Sequence, residues 1–301
     1  MNYRCVKSLT GWPQLVKTKT DSLTIKQWLT HAREQLADRQ DEPALSAQLL
    51  IAHHLHKDRA WVIAHSGDSL AKNDITALET GLIRLTQGVP LPYVLGKWEF
   101  YGLPFTVNEH VLIPRPETEL LVEQALTWIA KQTGSLLAVD VGTGSGCIAA
   151  SLARHAPRVR VIAIDVSLSA LRVARVNFSQ LAVNQQVSPA QSSLLSAVSG
   201  PFNLICANLP YIPSSKLHQL SVAAFEPSLA LDGGLDGLAL IQELLLQART
   251  RIALKALILL EIEADHGQTA PDLAQQIFPH AAVNLFHDLA GLPRLVRILI
   301  E

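Results

Sequence analysis

The sequence predicts an α/β protein: a small N-terminal helical bundle, a β-hairpin linker and a mostly parallel, doubly wound sheet. Three observations predict it. From Ser135 to the end, strand-length apolar runs alternate with helical stretches, the pattern of a parallel sheet covered on both faces. Residues 21–92 carry helical periods instead. Between the two, residues 93–113 mix aromatic and β-branched side chains around Gly102, as a short hairpin does. The domains expected are a leader over 1–20, the helical bundle over 21–92, the linker over 93–113 and the sheet domain over 114–301.

Composition bounds the function classes. A chain of 301 residues suits two domains, and 49% hydrophobic residues can fill a large core. No run approaches the ~18 uncharged apolar residues of a membrane span. The start, Met1 to Val6 and Lys7, lacks the apolar stretch of a secretory signal, so the expected location is the cytoplasm. Cys5, Cys147 and Cys206 form an odd set without a C-x-x-C pair, against a disulfide framework or structural zinc. Cys147 and Cys206 sit in apolar runs and read as small buried thiols. The 25 Lys+Arg balance 26 Asp+Glu, without the basic excess of a domain that grips nucleic acid.

The helical bundle opens at Thr24, where Thr24 and Gln27 have the spacing of a capping box. Ile25, Trp28, Leu29, Ala32 and Leu36 then make one apolar face. A second helix is predicted from Pro43 to His56. A third starts near Asn73, buries Ile75, Leu78, Leu82 and Leu85, and stops at Gly88, with Pro90 and Pro92 preventing a restart. His53, His54 and His56 have no carboxylate or cysteine set beside them and read as structural or surface residues. In the linker, Trp98 to Val107 form the hairpin, and Val111 to Ile113 follow Asn108. Pro114-Arg115-Pro116-Glu117-Thr118-Glu119 leads into a helix with Leu120, Leu121, Ala125 and Ile129 inward. Strands are predicted over 136–141, 159–165, 202–207, 256–262, 281–286 and 295–300, and helices over 148–155 and 169–181. Residues 186–200, rich in Ser, Ala and Gln, have no clear period.

Two places on this frame carry chemistry. Asp140-Val141-Gly142-Thr143-Gly144-Ser145-Gly146 joins the first strand to its helix, where glycines permit a sharp turn and close contact with a ligand. Asp165 ends the next strand, on the rim where open α/β sheets bind ligands, and a carboxylate there can accept both ribose hydroxyls. The pair indicates a nucleoside cofactor. The spacing is not the G-x-G-x-x-G of dinucleotide enzymes, and Asp140 beside the loop suits a cationic ligand such as S-adenosylmethionine. The plainer alternative is a structural glycine turn. The second place is Asn208-Leu209-Pro210-Tyr211, directly after the strand 202–207: a polar acceptor, a stiff proline and a stacking surface. Alone, it reads equally well as a turn with a capping Asn.

Asn208–Tyr211 resembles the Asn-Pro-Pro-Tyr signature of methyltransferases that act on planar nitrogen. More narrowly, residues 24–301 resemble the release-factor glutamine methyltransferase family (PrmC or HemK). Tyr93–Gly102, Pro114–Glu119, Asp140–Gly146, Asn208–Tyr211, Glu226–Leu231 and Gly233–Leu238 carry the resemblance. It implies a Rossmann-like methyltransferase fold with a seven-stranded sheet whose last strand is antiparallel. It also implies S-adenosyl-L-methionine as cofactor and peptide chain release factors as protein substrate, methylated at the glutamine of a Gly-Gly-Gln loop. The cofactor-binding residues expected are Asp140, Gly142, Thr143, Gly144, Ser145, Gly146, Asp165, Ser193, Leu194 and Asn208. The catalytic residues expected are Asn208, Leu209, Pro210 and Tyr211, with no metal. Two departures stand out. Leu209 replaces the usual first proline, and Gln191-Ser192-Ser193-Leu194 lacks the family's frequent acidic residue, leaving Ser193 or a backbone amide to meet the adenine.

An amide nitrogen is a poor nucleophile because its lone pair is delocalised. The Asn208 carbonyl and the Leu209 main-chain carbonyl can accept its two N–H groups and aim its face at the methyl donor. Pro210 stiffens the loop, and Tyr211 offers a flat face. Arg115, Thr118 and Glu119 either line this pocket or only start a helix. Phe100 reads as packing rather than cofactor contact, and Glu226 as a loop-ordering residue. The expected protein is a monomer whose helical domain docks the protein substrate, with no direct binding to nucleic acid or membrane. The rival readings are a ribosomal-protein glutamine methyltransferase, a nucleic-acid amino-group methyltransferase, which would need Lys/Arg clusters, and a non-catalytic cofactor-binding adaptor.

Overall fold

The computed structural model describes residues 23–219 and 221–301, so the leader expected over 1–20 and Cys5 lie outside the described residues. The chain divides into two compact units between Gly88 and Val89.

The first unit holds α1 (Ile25–Leu36), α2 (Pro43–His54), α3 (Arg59–Ala64) and α4 (Lys72–Thr86). The capping box at α1 is formed: the Thr24 hydroxyl accepts from the Gln27 N–H at 3.3 Å, and the Gln27 carbonyl accepts from the Thr24 N–H at 2.8 Å. Ile25, Trp28, Ala32 and Leu36 are buried as the period requires. Helix α3 was not foreseen, because six residues are too few to display a period. Its signal is local: the Asp58 side chain caps it by accepting from the Trp61 N–H at 2.6 Å. His54 Nε2 lies 2.9 Å from Asp74 Oδ1, joining α2 to α4.

The second unit opens with α5 (Leu91–Leu95), a single turn where the prolines were expected to prevent a helix. Pro92 sits in the first turn, where the missing N–H has no intrahelical partner to lose. Strands β1 (Lys97–Phe100) and β2 (Leu103–Thr106) pair antiparallel, with Phe100 opposite Leu103. The two turn residues, Tyr101 and Gly102, both have positive φ (51° and 69°), as the tightest hairpin turns demand. Val111 to Ile113 form no strand; the Tyr93 hydroxyl donates to the Val111 carbonyl at 2.6 Å.

The sheet follows: α6 (Glu119–Ala130), β3 (Leu136–Val141), α7 (Cys147–His155), β4 (Val159–Asp165), α8 (Leu168–Gln180), β5 (Val187–Gln191), β6 (Phe202–Ala207), α9 (Ala239–Ala248), β7 (Ile252–Glu261), α10 (Thr269–Ile277), β8 (Ala282–His287) and β9 (Pro293–Ile300). Its order is β5-β4-β3-β6-β7-β9-β8, seven strands, with β9 antiparallel to both neighbours and the rest of the pairs parallel. Strand β5 had no sequence signal. It is an edge strand carrying Pro189, whose missing N–H an edge tolerates. Alternate residues of the central strands serve two cores. Ala138, Leu204 and Leu257 pack under α6, α7 and α8, while Val139, Ile205 and Ile258 pack under α9 and α10. Strand order reverses at β3, which runs on to β4 on one side and lies beside β6 on the other. A crevice therefore opens beyond the carboxyl ends of those strands.

Candidate active site

A cavity of about 320 Å³ fills that crevice, walled by the glycine loop after β3, the end of β4, the turn after β5 and the loop after β6. Of the residues singled out from the sequence, Gly142, Thr143, Gly144, Ser145, Asp165, Ser193, Leu194, Asn208, Leu209 and Pro210 all line it, although they come from four separate loops.

The glycine loop is held from below. Asp140, at the end of β3, is fully buried, and its Oδ2 accepts from the Thr143 hydroxyl at 2.7 Å and from the Ala149 N–H at 3.1 Å. Asp140 thus ties the loop to the first turn of α7 and is not part of the cavity wall. Burial pushes its carboxyl up to about 7 against those two hydrogen bonds. The N–H groups of Gly142 and Thr143 both donate to the Ile164 carbonyl, at 2.9 and 2.8 Å. Gly146 has φ 82°, and a Cβ there would stand 2.5 Å from the Phe178 ring. Helix α8 therefore packs on bare backbone, and Gly146 shapes the loop from behind the wall. Asp165 faces the cavity while its Oδ2 accepts from the Gly144 N–H (2.9 Å) and its Oδ1 from the Ser167 N–H (2.8 Å). Each oxygen keeps a further lone pair for a ligand hydroxyl. Beyond β5, the Ser192 N–H donates to the Asp165 carbonyl at 3.1 Å, and Leu194 sits at a positive φ of 48°, a strained conformation for a leucine.

The loop after β6 is anchored by side chains the motif does not contain. Asn208 Nδ2 donates to Thr118 Oγ1 at 3.0 Å. Thr118 is buried and, with Arg115, lines the cavity while also standing at the start of α6, so both readings of this segment apply to it. Glu261, at the end of β7, is buried too; burial pushes its carboxyl up to about 7, a rise that the neighbouring Thr118 and Asn208 side chains and Arg294 oppose. Arg115 Nη2 donates to Glu226 Oε1 at 2.6 Å, joining the segment ahead of α6 to the loop that follows the motif. Glu119 instead accepts from the Tyr101 N–H at 2.8 Å and holds the hairpin. Leu209 packs its side chain over Gly142, 3.2 Å from where a Cβ would be. Tyr211 is half-buried outside the cavity wall, and a Cβ on Gly237 would stand 2.1 Å from its carbonyl. The Gly233–Leu238 segment therefore closes over the back of the motif, and only glycine permits that approach. Burial raises the Tyr211 hydroxyl well above its ordinary value, so it stays protonated.

Phe100 packs edge-on against Phe105 at 6.2 Å in the core, as packing rather than cofactor contact requires. Cys147 and Cys206 are buried free thiols. Glu261 and Asn177 escaped sequence reasoning. The signal for Glu261 was available: a lone carboxylate ending an apolar strand, the pattern that marked Asp140 and Asp165. Asn177 gave none; it lies inside α8, and its amide bonds the Thr106 N–H (2.7 Å), the Thr106 carbonyl (3.0 Å) and the Ser145 carbonyl (2.8 Å).

Comparison with known proteins bears on this site. Residues 27–96 match the PrmC N-terminal domain and residues 117–226 the methyltransferase small domain. Over 280 residues the chain is 36% identical to a release factor glutamine methyltransferase of Koribacter versatilis, covering 91% of this chain and 98% of that one. A protein of the same name from Bradyrhizobium diazoefficiens is 36% identical over 287 residues, 90% and 94% of the two chains. Another, from Enterococcus faecalis, is 38% identical over 240 residues, 79% and 86% of the two chains. Among solved structures, the hMettl16 catalytic domain superposes with a TM-score of 0.53 at 13% identity, over 75% of this chain and 81% of that one. That last likeness concerns the fold alone.

Proposed function

The chain belongs to the release factor glutamine methyltransferase family, and from that premise we propose that its cavity binds S-adenosyl-L-methionine and that the Asn208–Tyr211 loop presents a release-factor glutamine to it. The protein is a protein-glutamine methyltransferase. Its substrate on this reading is the Gly-Gly-Gln glutamine of a peptide chain release factor, converted to N5-methylglutamine.

The residues present fit that cofactor. The cavity is walled by bare glycine backbone on one side and by the Asp165 carboxylate on another. Two buried polar atoms beside it, Ser145 Oγ and Asp140 Oδ1, have no protein partner among the described residues. Asp165 would take the ribose hydroxyls, the glycine loop the amino-acid end, and Ser193 and Leu194 the adenine edge. When bound, the cofactor supplies an electrophilic methyl group on a sulfonium.

The chain's own residues hold the nucleophile. One observation carries this reading: Asn208 lines the cavity while its amide N–H is used inside the protein, donated to Thr118 Oγ1 at 3.0 Å, which leaves its carbonyl oxygen as the acceptor offered to the substrate. That oxygen accepts one N–H of the substrate amide, and the main-chain carbonyl of Leu209 accepts the other. Two such acceptors raise electron density on the nitrogen and fix its face. Pro210 holds the two carbonyls at a set angle. Tyr211, behind the cavity wall and kept neutral by burial, supports the loop rather than lining the cavity. The amide proton becomes acidic as the new C–N bond forms and leaves to solvent. The balanced charge of the chain, 25 basic against 26 acidic residues, favours a protein substrate over nucleic acid.

Methyl transfer from labelled cofactor, run side by side on release factor, ribosomal protein and RNA, tests the reading. The expected label is on the Gly-Gly-Gln glutamine. Label confined to RNA or to ribosomal protein would overturn it.

A further inference from the structure

We propose that Glu226 is a positioning residue: it holds the Arg115 guanidinium in the cavity wall and cancels its charge, so that the cavity accepts a methyl donor that is itself a cation. The inference rests on the cofactor reading above.

The cavity wall carries few charges. Among the residues that line it, Arg115 is the only Lys or Arg and Asp165 the only Asp or Glu. Asp165 ends β4, whereas Arg115 opens the tight turn Pro116–Thr118 ahead of α6. The Thr118 N–H donates to the Arg115 carbonyl at 3.1 Å, and Thr118 Oγ1 accepts from Asn208 Nδ2 at 3.0 Å. Arg115 therefore belongs to the motif's side of the cavity, where the glutamine is presented. A sulfonium brought there meets a guanidinium of the same sign, and a protein cavity screens that repulsion far less than water does.

Glu226 supplies the opposite charge from behind the wall. It is buried and does not line the cavity, and its Oε1 accepts from Arg115 Nη2 at 2.6 Å. Its side chain is 1% exposed against 34% for Arg115, so the carboxylate stands inside and the guanidinium reaches out to the cavity. Glu226 Oε2 is buried with no hydrogen-bond partner among the described residues. Compensation of the carboxylate thus falls to Arg115, and the carboxylate compensates the guanidinium in return. The pair also fixes position. Thr118 holds the start of the loop 208–226 and Arg115 holds its end, so one short turn grips both ends of the segment that carries the motif. Pro227, Leu229 and Ala230 of the cavity wall follow directly after the gripped end.

Calorimetry with S-adenosylmethionine and with S-adenosylhomocysteine, its neutral thioether counterpart, isolates the sulfonium charge. Glu226→Gln keeps an acceptor for Arg115 and loses the negative charge. It should weaken S-adenosylmethionine roughly tenfold more than S-adenosylhomocysteine. Arg115→Gln combined with Glu226→Gln removes both charges and leaves two amides that can still bond. That double variant should return the ratio of the two affinities to within about threefold of the parent. A purely structural role would weaken both ligands alike and leave the ratio unmoved. An unchanged ratio in Glu226→Gln, or a ratio that stays shifted in the double variant, overturns the proposal. If Glu226→Gln does not fold, Arg115→Gln decides. Burial already raises the Glu226 carboxyl, and without its partner it takes up a proton. The ratio in Arg115→Gln should then stay within about threefold of the parent, and a larger shift overturns the proposal. A parent that binds neither ligand refutes the cofactor reading; a parent that binds both, with the ratio unmoved in Glu226→Gln, refutes this proposal alone.

Discussion

At the residue scale, the site separates side-chain chemistry from main-chain chemistry, and substitutions can tell them apart. On the proposed clamp Asn208 acts through its side chain, so Asn208→Ala removes one preorganised acceptor. Turnover should fall by about 10²–10³-fold with cofactor affinity nearly unchanged, checked by single-turnover kinetics beside calorimetry. On the same proposal Leu209 acts through its carbonyl, which proline keeps. Leu209→Pro should hold turnover within about tenfold, roughly 1.4 kcal/mol of barrier. Its cost is the lost contact of the leucine side chain with the glycine loop. A folded but inactive Leu209→Pro beside an active Asn208→Ala would reject the two-carbonyl clamp. On the proposed cofactor site, Asp165→Ala deletes a charge-assisted acceptor for ribose; it also frees the Gly144 and Ser167 N–H groups. Cofactor affinity should drop about 10–150-fold, or roughly 1.5–3 kcal/mol. Parental affinity in that variant would take Asp165 out of the ligand site.

At the element scale, α8 is the support on which the glycine loop rests. Phe178 packs against the bare backbone of Gly146, and Asn177 bonds both the loop and the hairpin strand β2. Asn177 is fully buried, so its removal leaves three backbone groups without partners. Asn177→Ala should destabilise the chain by about 2–4 kcal/mol, read from urea unfolding. It should also weaken cofactor binding, because Ser145 loses its tether. A loss of stability below about 1 kcal/mol would mean that water replaces the asparagine.

At the scale of the whole molecule, buried acids make stability depend on pH. Burial raises the carboxyls of Asp140 and Glu261 to about 7, and raises those of Asp165 and Glu226 as well. A raised folded-state value means the folded chain keeps protons the unfolded chain has released. This contribution is complete below about pH 4 and is lost as pH rises toward about 7. The thermal midpoint of the ligand-free protein should therefore be higher at pH 5 than at pH 8, and Asp140→Asn should flatten the slope. A midpoint that rises with pH would contradict the burial argument. The division at Gly88 allows a second prediction. On the proposal that the helical unit docks the protein substrate, a chain starting at Val89 should bind cofactor as the parent does yet fail to methylate intact release factor. Full activity of the soluble truncation would refute the docking role.

Much of this was legible in the sequence because it is set by local chemistry. Helix α1 announces itself through Thr24, Gln27 and a spaced apolar face. The central strands are continuous apolar runs because both faces of the sheet are covered. Asp140–Gly146 and Asn208–Tyr211 stand out because polar and glycine residues break the apolar runs at strand ends, on the rim where open α/β sheets bind ligands. What tertiary structure alone decided is of another kind. Strand β5 is held by its neighbour β4 rather than by its own residues, so Val187–Gln191 carries no periodic mark. The same holds for the partners of the motif. Thr118 and Asn208 are far apart along the chain, and only the fold, which sets the turn ahead of α6 beside the end of β6, brings their side chains into hydrogen-bonding distance. A sequence displays the groups that local spacing arranges; which acceptor of an amide is left free is decided by bonds to residues that only folding brings near.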